Sequence, residues 1–216
     1  DIKDISFKTN WISDWNLKIK EYRSNQEYVH SKHKSLKDYT SFYYLISKAP
    51  KIFGNTPIVT SNGTAHAVTL QTYQLNKNQR LFTNVGCASM GYGLPAAIGA
   101  CVGNDKQPVI CIEGDGSIMM NLQELETIKG YNLPVKVIIV NNEGYLSIKL
   151  SQESFFKGKE FASGPKNGVT IPSFKKVAAS FNLPYMSINN NSEVETTLTN
   201  MMNTKGPCIV EVFTHP

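Results

Sequence analysis

The chain has 216 residues, 41% of them hydrophobic and 18% charged, with a formal net charge of +5. That length suits one globular domain of about 100–200 residues plus an extension; the balance excludes a disordered chain and a mini-protein that needs staples. The basic residues are scattered, with some clustering at Lys18, Lys20, Arg23, Lys32, Lys34 and Lys37; this reads as a solvated face and not as a nucleic-acid patch.

The four cysteines, Cys87, Cys101, Cys111 and Cys208, form no C-x-x-C pair. Buried free thiols in a reducing compartment, the cytoplasm, are expected. No apolar stretch approaches about 18 residues and no signal-peptide pattern opens the chain, so no membrane partner is expected. The first residue is Asp1 and not Met, which fits a segment cut from something longer.

Residues 1–36 are polar, but Trp11, Trp15 and Ile19 fall at i, i+4 and i+8. That spacing predicts a short linker helix over Ser13–Arg23, its aromatics packed on a neighbour. Leu36, Tyr39, Phe42, Tyr43 and Ile46 predict a helix over Ser35–Lys48, ended by Ala49-Pro50. Pro57–Thr60 reads as a buried strand, running into the loop Ser61-Asn62-Gly63-Thr64 and a helix over Ala65–Tyr73. Strand, polar glycine loop and helix make a common anion-binding arrangement, and equally an ordinary connection. Arg80–Asn84 is the next strand, followed by a small-residue loop and a tightly packed helix from Pro95.

Pro108–Glu113 is wholly apolar up to its final glutamate, as a central parallel strand should be. Ile118, Leu122, Leu125 and Ile128 mark a helix that ends near Gly130. Val135–Val140 is the most hydrophobic strand. Tyr145–Gly168, with Phe155-Phe156, three glycines and four lysines, reads as a long irregular, mobile loop of the kind that forms lids. A helix over Ile171–Phe181, a strand over Leu183–Ile188, a helix over Glu193–Met202 capped by Ser192 and a closing strand over Cys208–Phe213 complete the chain. The alternation predicts a three-layer α/β/α sandwich around a mostly parallel sheet of six strands.

Chemistry concentrates between residues 110 and 145. One apolar run ends in Gly114-Asp115-Gly116-Ser117 and the next in Asn141-Asn142. Open parallel sheets bind ligands at the carboxyl ends of their strands. A carboxylate between two glycines, a carboxamide and a nearby main-chain carbonyl would hold Mg²⁺, leaving the other positions to phosphate and water. The plainer alternative is that Asp115 caps a helix and Asn142 makes a turn; one shared site explains both residues together.

Gly114-Asp115-Gly116-Ser117 followed after 27 positions by Asn141-Asn142 resembles the signature of thiamine diphosphate enzymes. Ser89–Ala100 and Asn121–Thr127 are similar to acetolactate synthase and its decarboxylase relatives, and the likeness covers residues 37–216. It implies that this is the C-terminal, diphosphate-binding domain of a longer enzyme acting on 2-oxo acids, with residues 1–36 the tail of a preceding domain and its linker. It implies Asp115, Asn142 and the main-chain oxygen of Gly144 as Mg²⁺ ligands. Asn62, Gly63, Thr64, Gly114, Gly116 and Ser117 would contact the diphosphate. Cys87, Ala88 and Ser89 would line the pyrimidine pocket, Met90 would prop the cofactor in its bent shape, and Tyr145 and Leu146 would complete the binding site.

The resemblance also implies what is missing. The family's activating glutamate comes from an N-terminal pyrimidine-binding domain, which nothing here matches, so these residues should not catalyse alone; the parent would be a homodimer or homotetramer. Ile148 stands where pyruvate decarboxylases carry a catalytic glutamate, and the only tryptophans, Trp11 and Trp15, are not where acetolactate synthases carry the one that shapes acceptor choice. Two other readings stand beside this one. A non-catalytic module would keep the cofactor as a structural element. A nicotinamide-binding fold would use Gly91-x-Gly93-x-x-Ala96 as its fingerprint and Glu113 as its ribose acid.

Overall fold

The structure is a computed structural model that describes residues 9–25 and 28–215. Helix α1 (Thr9–Asn25) and the short α2 (Ser31–Lys34) precede the sheet domain, whose first elements are α3 (Phe42–Phe53), β1 (Ile58–Thr60), α4 (Gly63–Thr72) and β2 (Leu81–Phe82). Then come α5 (Gly93–Gly103), β3 (Val109–Gly114), α6 (Asp115–Ile118), α7 (Glu124–Gly130), β4 (Val135–Asn141) and α8 (Leu146–Phe155). The chain closes with α9 (Phe174–Ser180), β5 (Tyr185–Ile188), α10 (Val194–Asn203) and β6 (Cys208–Phe213). Among the described residues no helix is long and apolar enough to cross a membrane.

The six strands form one sheet in the order β2-β1-β3-β4-β6-β5, and every pairing is parallel. Side chains alternate between its faces with a period of two. Ile58, Ile110, Ile112, Ile138, Val140, Val210 and Val212 pack against residues of α3, α4 and α10. Val59, Val109, Cys111, Val135, Val137, Ile139 and Ile209 pack against residues of α5, α7 and α9. These are the three layers that the alternation of elements predicts. β3 and β4, at the centre, carry the long apolar runs because both of their faces are covered.

The boundaries differ from expectation where side chains override propensity. The predicted Ser35–Lys48 helix begins instead at Phe42, because the Ser41 hydroxyl accepts the Tyr44 N–H and caps it there. Pro50 lies inside that helix and does not end it. The last turn persists because the Asn76 amide donates to the Pro50 and Gly54 carbonyls, at 2.9 and 2.7 Å. The predicted single helix over 118–128 is broken into α6, a 3-10 turn at Met119–Asn121 and α7; the turn is pressed against Gly91, where an added Cβ would lie 2.7 Å from Met120 Cβ. Ser192 is no helix cap: it is itself held by Asn190, whose carboxamide oxygen accepts both the Ser192 N–H and its hydroxyl.

The stretch expected to be an irregular loop contains α8, which buries no residue completely and so writes no apolar period into the sequence. Beyond it, the Gln152 amide clasps the main chain of Phe161 through two hydrogen bonds. Helix α1 spans more than the predicted Ser13–Arg23, and Trp11, Trp15 and Ile19 are exposed rather than packed on a neighbour within the described residues. Further on, the Thr40 N–H donates to the Phe213 carbonyl and its hydroxyl to the Ile188 carbonyl. The Asn191 amide reaches the His33 carbonyl while its oxygen accepts the Ser41 N–H.

Asn76→Ala removes the donor that holds the last turn of α3. Equilibrium urea unfolding should show a loss of about 1–2 kcal/mol, the scale of leaving the Gly54 carbonyl unpaired and the Pro50 carbonyl with the Gly54 N–H alone. An unchanged midpoint would show that Pro50 is tolerated for another reason.

Candidate functional site

The sheet grows outward in opposite directions from the β1–β3 pair: β2 lies beyond β1, and β4 beyond β3. A crevice opens at the carboxyl ends of the strands where that reversal occurs. Here it is a cavity of about 310 Å³. The loop after β1 contributes Asn62, Gly63 and Thr64, and the turn after β3 contributes Gly114, Asp115, Gly116 and Ser117. The segment after β4 contributes Asn142, Gly144, Tyr145 and Leu146. Ala88 and Met90 reach it from the loop before α5, where the chain turns at Ala88 with φ 47°. Of the residues singled out in the sequence, Cys87 and Ser89 are not in the lining; both are exposed on that same loop. Ile148, singled out for standing at the position of a decarboxylase glutamate, is in the lining as well. Ala65, Val140 and Ser147 also line the cavity; as ordinary helix and strand residues they carry no signal in the sequence.

Asp115 is buried and its carboxylate organises the main chain around it. Oδ1 accepts the Gly116 N–H at 2.7 Å; Oδ2 accepts those of Gly144 at 2.9 Å and Asn142 at 3.2 Å. The turn that brings these donors in needs unusual backbone: Glu143 has φ 61° and Gly144 φ 134°. A Cβ on Gly144 would come within 2.5 Å of the Ser163 carbonyl oxygen, so only glycine fits. Gly116 is likewise required, because the Tyr145 ring lies 2.3 Å from where its Cβ would stand.

The Asn142 carboxamide oxygen is buried and has no hydrogen-bond partner among the described residues. An unsatisfied buried acceptor costs about 1–3 kcal/mol unless something outside the chain completes it. Among the described residues no group of three or more His, Cys, Asp and Glu side chains converges to hold a metal. The donors here are therefore oxygens of a carboxylate, a carboxamide and the main chain, the set that a hard cation takes. Across the cavity, α4 begins at Gly63 without a side-chain cap, because the Asn62 amide is turned to the Ala88 carbonyl. Its first-turn N–H groups are left for an anion.

Glu113, the ribose acid of the nicotinamide reading, is buried at the end of β3. Its carboxylate accepts the Gly93 N–H at 2.6 Å and the Ser61 hydroxyl at 2.5 Å. Ser61 Oγ lies 3.2 Å from Ser117 Oγ, which accepts the Gly91 N–H at 3.0 Å. Burial pushes the Glu113 carboxyl up, opposed by these hydrogen bonds. The glycines of the supposed fingerprint are thus committed to Glu113 and Ser117, and Glu113 is closed to a ribose. A lone acid ending an apolar strand was the available sign that it had internal partners.

With this geometry in view, the comparisons with known proteins can be read. Residues 61–212 match the family described as thiamine pyrophosphate enzyme, C-terminal TPP binding domain. The acetolactate synthase isozyme 1 large subunit of Escherichia coli (strain K12) is 35% identical over 176 residues, covering 81% of this chain and 31% of the relative. Acetolactate synthase 1, chloroplastic, of Nicotiana tabacum is 35% identical over 164 residues, covering 74% and 25%. The acetolactate synthase large subunit of Porphyra purpurea is 37% identical over 135 residues, covering 62% and 22%. The chain belongs to the thiamine pyrophosphate enzymes, whose C-terminal TPP-binding domain it matches. Its matches span between about a fifth and a third of the length of these relatives.

Burial pushes the Asp115 carboxyl up from 3.8 to about 6, against the main-chain N–H groups that favour its charged form. Because the folded value lies above the unfolded one, this carboxyl's contribution to stability is fully present below 3.8 and is lost as pH rises through about 6. A carboxyl-carbon NMR titration of the metal-free protein should show Asp115 with its midpoint near 6; a midpoint at or below 3.8 would contradict this.

Proposed function

We propose that the cavity holds the diphosphate of thiamine diphosphate through Mg²⁺ ligated by Asp115, Asn142 and the Gly144 carbonyl, and that the whole protein acts on 2-oxo acids. The observation that carries this is the unpartnered Asn142 oxygen beside the Asp115 carboxylate, at the point where the sheet reverses. The main-chain N–H of Ser117, and those opening α4 at Gly63 and Thr64, would donate to the phosphate oxygens, while the Gly116 N–H stays on Asp115. Met90, Ala88, Tyr145 and Leu146, which line the same cavity, would meet the organic part of the cofactor.

When bound, thiamine diphosphate supplies the carbon nucleophile and electron sink that decarboxylation of a 2-oxo acid needs. This chain's own residues bind and orient. Glu113 is spoken for by Gly93 and Ser61, so the proposal gives it no proton to move, and the activating acid is assigned to a separate pyrimidine-binding domain of the same protein or of a second copy. The reading includes residues 37–216 as the cofactor domain, a dimer or tetramer as the working assembly, and a cytoplasmic setting, which suits cysteines spaced as free thiols. Decarboxylation followed by carboligation, as the names of the relatives suggest, is the reaction proposed.

A thermal shift on the full-length protein tests the binding step. Mg²⁺ with thiamine diphosphate at a hundredfold excess over Kd should stabilise it by about 2.7 kcal/mol. Asp115→Ala should abolish the shift, and an equal shift in that variant would refute the metal assignment. Release of CO₂ from pyruvate then separates an enzyme from a non-catalytic module: binding without turnover on any 2-oxo acid favours the module.

A further inference from the structure

A third buried carboxylate, after Asp115 and Glu113, lies behind the turn that carries Asn142 and Gly144. Strand β6 reads Cys-Ile-Val-Glu-Val-Phe, and Glu211 is the one charged residue in it, 3% exposed. It stands opposite Ile139 in register, so it shares a sheet face with Asn141, two pairs along. Its Oε1 accepts the Asn141 amide N–H at 2.6 Å; its Oε2 accepts the Tyr185 hydroxyl from β5 at 2.5 Å. No step in the binding scheme uses it, and a buried charge is retained at a cost unless its partners need it.

The partner that matters is Asn141. Its amide nitrogen is fixed on Glu211, which leaves its oxygen aimed forward to accept the Glu143 N–H at 3.0 Å. That is an Asx turn, the side chain of one residue bonding the main chain two positions on. It holds Glu143 at φ 61°, a conformation few residues other than glycine adopt. The same turn points the Gly144 N–H at Asp115 and leaves the Asn142 oxygen free in the cavity. An isolated Asn amide can flip and present nitrogen where oxygen is needed; a carboxylate, which can only accept, forbids the flip. The main chain of Asn141 is tied as well, its carbonyl accepting both the N–H and the hydroxyl of Thr214.

We propose that Glu211, held by Tyr185, is a positioning residue for the cofactor site: it orients the Asn141 carboxamide and through it the turn that presents Asn142 and Gly144 to the metal. The proposal rests on the reading of Asp115, Asn142 and Gly144 as the Mg²⁺–diphosphate site. Groups that orient metal ligands typically change affinity by about 10- to 100-fold when removed.

The test is calorimetric titration of the full-length protein with thiamine diphosphate in the presence of Mg²⁺, paired with hydrogen–deuterium exchange of the peptide spanning 141–145. Wild type that binds nothing would sink the cofactor reading itself, separately from this proposal. Given wild-type binding, Glu211→Ala should weaken Kd by about tenfold or more and speed exchange in that peptide before any ligand is added. Glu211→Gln should recover most of the affinity, because its amide oxygen still accepts from Asn141 and its amide nitrogen can donate to Tyr185. A folded Glu211→Ala with wild-type affinity and exchange overturns the proposal, as does a Glu211→Gln no better than Ala. Should Glu211→Ala fail to fold, Asn141→Ala leaves the carboxylate its Tyr185 partner and carries the same expectation; unchanged affinity there overturns the proposal equally.

Discussion

The carboxylate of Glu113 joins three segments that sequence separates widely. It sits at the end of β3, takes a hydroxyl from the loop after β1, and takes a main-chain N–H from the start of α5. Those are the segments that diverge where the sheet changes direction, and a crevice there has no backbone ladder to define its width. A buried acid with fixed donors on both sides defines it instead. The arrangement is tight: a Cβ on Gly93 would stand 2.3 Å from the Glu113 oxygen, so the approach of α5 depends on glycine at that position. Removing one partner would leave a buried charge unanswered, which is costlier than never having built the pair.

Around that brace the polar groups divide by role. Glu113 and Glu211 are satisfied within the protein and face away from any ligand. Asn142 keeps an oxygen that nothing among the described residues answers, and Asp115 holds main-chain donors on both oxygens while lining the cavity. A buried polar atom left without a partner in the lining of a cavity, where a ligand can reach it, distinguishes a binding site from a merely polar turn. The same logic separates the two classes of acid without reference to any relative.

The fold was legible because its signals are local. β3 and β4 announce themselves as apolar runs, the second interrupted by Lys136, and the Asp115-to-Asn142 spacing places two strand ends one crossover apart. What escaped was written in long-range contacts. Nothing near Pro50 in sequence says that Asn76 will hold the turn around it. Nothing near Ile118 says that Gly91 will pack against the next turn and tighten it. Helix α8 escaped for the opposite reason: it buries too little to leave a period. Within the site, strand-end polar residues and glycines could be read from type and spacing. Cys87 and Ser89 could not be told from Ala88 and Met90, because a single positive φ decides which of them face the cavity. The supports behind the site, Ser61 and Glu211, look like ordinary strand-end or strand residues until their partners are known.

The contact between Gly116 and Tyr145 reaches beyond this one molecule. The ring occupies the volume that any side chain at 116 would need, so the two positions cannot drift independently. A lineage that acquires alanine at 116 must first, or at once, shrink or move the residue at 145. The tyrosine, for its part, faces no such barrier to becoming smaller. Evolution through this pair is therefore directional: the aromatic has to yield before the glycine does, and the order of those steps is set by geometry before selection on activity acts.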